Sequence, residues 1–252
     1  MARLKGILKF KGTMGDITFY KTRDGYVARE KGGIDKKRMA TDPAFQRTRE
    51  NGSEFGRAGK ATKLLRMALR PLLINATDDR LTSRLVKEMM KVIQADQVSQ
   101  RGLRNVIDGE AELLTGFEFN LVGKFDSSFY PPYEATIDRV SGDHTFEVQP
   151  FIPQNMIAAP VGTTHYKLVT AAVEVDFEAN TYVLVTSSTD ILPWDAIETA
   201  VITQTNTVTA NSDKPLFLAV GVEYYQDING GFYPLKNGSF NSLKILKVDS
   251  GV

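Results

Sequence analysis

The sequence lacks the residues and motifs of most familiar active sites. Its 252 residues include no cysteine, which excludes disulfides, thiolate nucleophiles and cysteine-ligated zinc. The two histidines, His144 and His165, have no sequence neighbour that completes a metal or triad motif. The nucleophile elbow of hydrolases, the dinucleotide-binding glycine motif and the phosphate-binding loop are also absent. We therefore predict a protein that is not an enzyme and has no catalytic residue, metal site or cofactor. Glycoside hydrolysis stays an open alternative, because its two carboxylates can lie far apart in the sequence.

Long apolar runs are missing as well. No run approaches the roughly 18 apolar residues that a membrane helix needs. The first residues, MARLKGILKF, lack the uninterrupted apolar stretch of a signal peptide. We therefore expect synthesis in the cytoplasm and no membrane span, with release in an assembled particle as a further fate. A chain of this length with 42% hydrophobic residues is expected to fold around a sizeable core.

Acidic residues are scarce in the first half of the chain and basic residues in the second. Residues 1–111 contain 24 Lys and Arg but 13 Asp and Glu, a net charge of +11. Residues 112–252 contain 7 and 17, a net charge of −10. Such halves can attract each other between copies, or the basic half can face a polyanion. A solvated surface without a function is the alternative.

Residues 1–41 are predicted to form a basic β-ribbon arm and a connector. Strands are expected over about 6–12, 16–20 and 26–29, with Asp24-Gly25 in a tight hairpin turn. The apolar positions of the arm are Ile7, Phe10, Ile17, Phe19 and Tyr26. Because a small ribbon is marginally stable alone, we expect it to pack on its own chain or on a neighbouring subunit. The glycine- and lysine-rich residues after it, up to residue 38, are predicted as a loop.

Residues 42–111 are predicted to form a helical hairpin. Thr41-Asp42-Pro43 combines an N-cap candidate with a proline at the first helical position, so a helix is expected over about 43–74. Pro71 is expected to kink or end this helix. A second helix is expected over about 77–95. Its core positions are Leu81, Leu85, Met89 and Val92.

The first helix contains glycines, which destabilise helices. At about 100° per residue, its core stripe is predicted to hold Phe55, Ala58, Thr62, Leu65, Leu69 and Leu72. A neighbouring stripe holds Gly52, Gly56 and Gly59, followed by Lys63, Arg66 and Arg70. Each helical glycine costs about 1 kcal/mol relative to alanine, so we expect a role that offsets this cost.

We interpret the glycine stripe as a docking groove for self-association. Small residues at a spacing of four let a second backbone approach a helix closely. The predicted occupant is the ribbon arm or the equivalent element of another copy, with the basic stripe facing an acidic surface. The alternative is a helix that breaks at Asn51-Gly52, with the later glycines in irregular backbone.

Residues 112–252 are predicted to form an antiparallel β-sandwich, Ig-like or jelly-roll-like. Hydrophobicity alternates with period two and turn signals recur about every ten residues. Strands are expected near 117–123, 133–140, 144–150, 166–177, 181–188, 198–208, 216–226 and 241–248. Residues 216–222 are uniformly apolar, which predicts a strand covered on both faces. Glu174, Asp176 and Glu178 alternate with apolar residues and are predicted as a solvated acidic face. The fold class is therefore α+β.

Four segments resemble an uncharacterised group of hypothetical proteins from Bacteroidetes-type bacteria. They are GTMGDITFYKTRDGYVAREKGG, DPAFQRTRENGSEFGRAGKATKLLR, RGLRNVIDG and GFEFN. The resemblance covers mainly the first 120 residues. It implies no activity, and no functional residue is carried over from it.

Taken together, the charge halves and the glycine stripe predict a structural protein that binds other copies of itself. The expected product is a filament, a tube or a phage-like particle, in which the basic N-terminal half contacts the acidic sandwich. The alternative is a nucleic-acid-binding protein that uses the basic half, which contains enough Lys and Arg for a phosphate footprint but no known reading motif.

Overall fold

The computed structural model describes residues 2–3, 10–30 and 33–251, with side chains described from residue 10 onward. The chain divides into two units between Arg49 and Glu50. Most of the first predicted strand, including Ile7, lies outside the described residues. No helix among the described residues is long and apolar enough to cross a membrane.

The described part of the N-terminal unit includes a four-stranded antiparallel sheet in the order β1-β4-β3-β2 and a short α-helix. These elements are β1 (Ala2–Arg3), β2 (Gly12–Met14), β3 (Ile17–Thr22), β4 (Gly25–Glu30) and α1 (Lys36–Thr41). Thr22 pairs with Gly25, so the predicted hairpin is present, but its turn residues are Arg23 and Asp24 and not Asp24-Gly25. Gly25 has a φ of 119°, a conformation that suits glycine.

The described part of this unit has little core of its own. Val27 is its one buried apolar side chain, while Phe10 and Ile17 are exposed and Phe19 and Tyr26 are half-buried. The predicted loop was expected to extend to residue 38, but this end is wrong, because α1 begins at Lys36. The Asp35 side chain accepts a hydrogen bond from the Lys37 backbone N–H and so starts the helix.

The remaining α-helices of the described residues are α2 (Gln46–Ala68), α3 (Arg70–Leu73), α4 (Leu81–Ala95) and α5 (Pro153–Met156), and short 3₁₀ helices lie at Ala111–Leu114, Phe125–Ser127 and Leu235–Gly238. Asp42 is an N-cap, as predicted, and accepts from the Ala44 N–H at 2.9 Å in a 3₁₀ turn before α2. The alternative of a break at Asn51-Gly52 is wrong, because α2 continues through this pair. The helix ends before Pro71, which has no N–H to continue the ladder.

The C-terminal half contains two antiparallel sheets. The smaller has the order β10-β6-β5, and in the larger β12, β11, β7 and β8 lie side by side, while β13 pairs with β11 and β9 with β7. The strands are β5 (Tyr133–Asp138), β6 (Asp143–Val148), β7 (His165–Asp176), β8 (Thr181–Ser188), β9 (Leu192–Pro193), β10 (Ile202–Thr207), β11 (Leu216–Ile228), β12 (Gly231–Pro234) and β13 (Ser242–Asp249).

Three layers result from the alternation of side chains along β11. Phe217 and Ala219 belong to a core cluster that contains residues of α2 and α4. Leu218 and Val220 belong to a second cluster, which contains Phe146 of the small sheet. The helices therefore cover one face of the large sheet and the small sheet covers the other. The predicted two-sided burial of residues 216–222 is confirmed.

The α+β class is confirmed, but an Ig-like or jelly-roll-like sandwich is not. The helices share one core cluster with strands β7, β11 and β13. The boundaries predicted at residues 41 and 111 stay predictions. The strand predicted over 117–123 is wrong: Glu118 forms an isolated bridge to Lys244, and Gly123 lies too close to the Phe240 carbonyl to carry a side chain.

A polar cluster is buried between the two sheets. His144 and Asn206 face each other in register on β6 and β10, and both are almost fully buried. The Asn206 amide donates to the Thr170 hydroxyl on β7 at 2.8 Å. His144 Nδ1 lies 3.1 Å from the accepting carbonyl oxygen of Gly142. The contact between the sheets therefore encloses a titratable group.

We expect His144 to make the protein less stable at mildly acidic pH. Burial lowers the pKa of this imidazole below its usual value of about 6.5, so the unfolded chain binds a proton that the folded chain does not. The stabilisation is fully present above about pH 6.5 and is lost as the pH falls below it, by up to about 1.4 kcal/mol per pH unit. Urea denaturation at about pH 7.5 and about pH 5.5 measures this loss.

The substitution His144→Phe should reduce the difference between the two pH values. The variant His165→Phe, which keeps His144, is the control and should retain the difference. An equal pH dependence in His144→Phe and in the wild type would contradict the prediction.

Candidate functional site

The three helical glycines lie on the outward face of α2. Apart from chain neighbours and the backbone of the helix itself, nothing among the described residues lies within 4 Å of the position that a Cβ would take at Gly52, Gly56 or Gly59. The opposite face of the helix is buried through Ala58, Ala61, Thr62, Leu64, Leu65 and Ala68. No other element in the described part of the chain fills the space beside these glycines, and their predicted docking role stays a prediction.

The predicted core stripe is right except at its N-terminal end. Ala58, Thr62 and Leu65 are buried, but Phe55 is 60% exposed. At about 100° per residue, Phe55 lies roughly 80° from Leu65, at the edge of the buried arc. Glu54 is buried in its place and accepts a hydrogen bond from the Gly102 N–H at 2.7 Å.

The predicted basic stripe lines a groove of about 390 Å³ at the C-terminal end of α2. Lys63, Arg66 and Arg70 all contribute to it. The other lining residues are Met67, Leu73, Ile74, Thr77 and Leu81. The chain turns at Pro71 and runs through α3, which brings the start of α4 to the groove. We call this site the basic groove.

Apolar side chains are exposed between the cations of the basic groove. Met67 is 47% exposed and Ile74 is 72% exposed. Within the described residues, neither Lys63, Arg66 nor Arg70 has a carboxylate partner, and the buried Nε of Arg66 has no hydrogen-bond partner. An exposed apolar surface with charged edges is typical of an interaction site.

The predicted acidic face at the end of β7 is not one exposed surface. Asp176 accepts hydrogen bonds from the Glu178 and Ala179 N–H groups and pairs with Lys214 at 3.6 Å. These backbone hydrogen bonds lower its pKa. Glu174 is half-buried, so Glu178 alone is fully exposed. That Glu174, Asp176 and Glu178 take part in self-association stays a prediction.

A different acidic surface covers the outer face of the small sheet. Nine side chains point outward: Glu134, Thr136, Asp138, Asp143, Thr145, Glu147, Thr203, Thr205 and Thr207. None of these nine is basic. Glu134 lies directly opposite Glu147 and Asp138 opposite Asp143, and such like-charge pairs destabilise a sheet. We call this surface the acidic face.

Hydrogen bonds organise the threonines of the acidic face. The Thr207 hydroxyl donates to Asp143 at 2.5 Å, and the Thr145 and Thr205 hydroxyls lie 3.3 Å apart. The bond from Thr207 lowers the pKa of Asp143, which therefore stays ionised at neutral pH. Sequence analysis missed this surface, although the alternation of Asp, Glu and Thr in residues 133–147 was the available signal.

One cleft of about 600 Å³ contains paired carboxylates, Glu118 and Asp126. Both oxygens of Glu118 accept backbone N–H groups, from Phe125 and Asp126, and burial raises its pKa. Asp126 accepts two hydrogen bonds from the Lys244 ammonium group. These carboxylates hold the 117–127 segment on β13. No group of three or more His, Asp or Glu side chains in the described residues could hold a metal ion.

Alanine at the outward glycines should stabilise the protein. Gly56→Ala places a methyl group in open space on a helical backbone, so the free energy of unfolding should rise by about 0.5–1 kcal/mol. Urea denaturation of Gly52→Ala, Gly56→Ala and Gly59→Ala measures the change. The control Gly109→Ala should destabilise, because its Cβ would lie 2.5 Å from the Val92 carbonyl oxygen. A lower stability in all three helical variants would contradict the prediction.

Comparison with protein-family models, with curated proteins and with solved structures finds no match to this chain. Its function is therefore inferred from the charge, exposure and packing of its own residues.

Proposed function

We propose that the protein is a structural protein that self-associates head to tail, the basic groove of one copy binding the acidic face of the next. The proposal rests on one observation: residues 50–252 have an exposed cationic surface on one outer layer and an exposed anionic surface on the opposite outer layer. The groove belongs to the helices on one side of the large sheet, and the acidic face belongs to the small sheet on the other side.

Head-to-tail contacts give chains of copies. When two different surfaces of one molecule bind each other, the contact repeats, and it generates a ring if the rotation closes or an open helical filament if it does not. A filament or a tube is therefore the proposed product. The outward glycines extend the groove along α2, where the lack of side chains lets a partner approach the backbone.

Charge alone gives such a contact little affinity. Exposed ion pairs contribute about 0–1 kcal/mol each and are screened by salt. Met67 and Ile74 supply exposed apolar area inside the cationic rim, and their burial favours binding at any salt concentration. We therefore expect charge to determine which surfaces meet and the apolar residues to contribute affinity that salt does not screen.

Nucleic-acid binding is the second candidate, supported by the same groove. Lys63, Arg66 and Arg70 have no carboxylate partner among the described residues and can bind phosphates. The N-terminal unit has exposed cations of its own, among them Lys11, Lys21 and Arg29. The acidic face would play no part in that function. An experiment that reverses charge on each surface separately therefore distinguishes the two candidates.

Reversing the charge of either surface should abolish self-association, and mixing the two variants should restore it. The groove variant carries Lys63→Glu, Arg66→Glu and Arg70→Glu, and the face variant carries Glu134→Lys, Asp138→Lys and Glu147→Lys. Each variant presents one sign on both surfaces, so its copies repel each other, whereas the two variants complement each other. Sedimentation velocity at about 50 mM and about 500 mM salt should show at least a tenfold weaker association for each variant alone.

Matched controls separate this effect from net charge. The variant Lys87→Glu, Lys124→Glu and Lys247→Glu changes the net charge equally at exposed positions outside both surfaces and should still associate. Circular dichroism checks that every variant is folded. A wild-type chain that stays monomeric at both salt concentrations, or a mixture that fails to associate, would refute the proposal. Salt-sensitive DNA binding lost only in the groove variant would then favour the second candidate.

A further inference from the structure

A small cavity lies at the segment that joins β8 to β10. Its volume is about 280 Å³, and its apolar walls include Pro153, Leu192, Ile197 and Ile202. Strand β9 pairs with the start of β7, which fixes one wall to the large sheet. Sites for drug-sized ligands usually enclose about 300–1,000 Å³, so this cavity fits a smaller molecule or a single side chain.

A buried hydroxyl without a partner belongs to the lining. Tyr166 on β7 lies at the wall of the cavity and is almost fully buried, and its hydroxyl has no hydrogen-bond partner among the described residues. Buried polar side-chain atoms are nearly always hydrogen-bonded to protein or to ordered water, so this hydroxyl is available as a partner for a group bound in the cavity. Burial, followed by the nearby Asp195 carboxylate, raises the pKa of Tyr166 well above its usual range, so the hydroxyl is neutral at physiological pH.

The charged residues that line the cavity are both acidic. Asp195 accepts a hydrogen bond from the Ile197 N–H at 3.0 Å, and Glu198 is exposed at the rim. No cation forms an ion pair with either carboxylate in the part of the chain that the structure describes. This charge repels anionic ligands and favours cations.

We propose that this cavity binds a primary ammonium group on an unbranched aliphatic chain. The three N–H donors of an ammonium group match the acceptors present, which are the Tyr166 hydroxyl oxygen and the two carboxylates. The aliphatic chain packs against the apolar walls. A free alkylamine and the side chain of a lysine on another protein share this chemistry. The proposal does not depend on the head-to-tail contact, which uses other residues.

Chemical-shift titration of the ¹⁵N-labelled full chain tests the proposal with matched probes. Pentylammonium should give saturable shifts at residues around the cavity, whereas pentan-1-ol and pentanoate, of similar length, should bind at least about tenfold more weakly. Lysine blocked at its backbone amine and carboxyl groups distinguishes the two sources. Binding of blocked lysine assigns the site to a protein side chain, and its exclusion while pentylammonium binds assigns it to a free amine.

Two tyrosine variants make the test specific to the cavity. Tyr166→Phe removes a buried hydroxyl that has no partner, so the fold should be retained, while pentylammonium binding should weaken by about tenfold. Tyr224→Phe removes the hydroxyl of the residue paired with Tyr166 in register, which does not line the cavity, and should bind as the wild type does.

Charge removal at the rim gives a second readout. Glu198→Gln should weaken binding by about twofold to fivefold, whereas Glu178→Gln, an exposed acid elsewhere, should leave it unchanged. The proposal is overturned if neither ammonium probe gives saturable shifts, if pentan-1-ol binds as tightly as pentylammonium, or if Tyr166→Phe binds like the wild type.

Discussion

The burial of β11 on both faces is the constraint on which the C-terminal unit depends. Phe217 and Ala219 pack toward the helices, and Leu218 and Val220 pack toward the small sheet. A strand that is apolar on both faces can be stable only between two covering layers. The helices and the small sheet are those layers, and their outward surfaces are where ionised groups lie at little cost.

The same constraint explains how α2 tolerates its glycines. Most of the stability of a helix in a protein comes from packing of its buried face, not from intrinsic propensity. Ala58, Ala61 and Leu65 supply that face in α2. The buried Glu54 and the Arg57 guanidinium add hydrogen bonds to Gly102, which tie the N-terminal part of the helix to the loop after α4. Glycine on the outward face weakens the helix but interrupts none of these contacts.

Sequence patterns predicted elements whose hydrophobic residues recur at the spacing of a regular helix or strand. The core positions of α4 were predicted correctly, because one face of this helix packs into the core cluster on the large sheet. Residues 181–188 were also predicted as the strand that they form, β8, which pairs with β7 in the large sheet. The segment 117–123 alternates like a strand, and Phe117 and Phe119 are buried, but its backbone pairs with β13 only over residues 116–119, through three hydrogen bonds and one isolated bridge. The periodicity there indicates burial, whereas the length over which the segment pairs with β13 depends on residues distant in the sequence.

For the candidate site, the sequence predicted the stripe of cations but not the exposed apolar residues beside them. Lys63, Arg66 and Arg70 recur at helical spacing, whereas the exposure of Ile74 depends on the turn at Pro71. The acidic face requires strands β5, β6 and β10 to lie side by side, and the pairing of β6 with β10 joins residues about 60 positions apart. Local patterns do not encode such neighbours.

The separation of the two signs also bears on the symmetry of the proposed assembly. A self-complementary dimer through the basic groove would bring six cations together, and one through the acidic face would bring eight carboxylates together. Like charges in contact cost several kcal/mol, which disfavours both arrangements. Contact between unlike surfaces avoids this repulsion and leaves one groove and one face free at the two ends. On electrostatic grounds alone, each copy added to a chain therefore meets the same favourable surface as the copy before it.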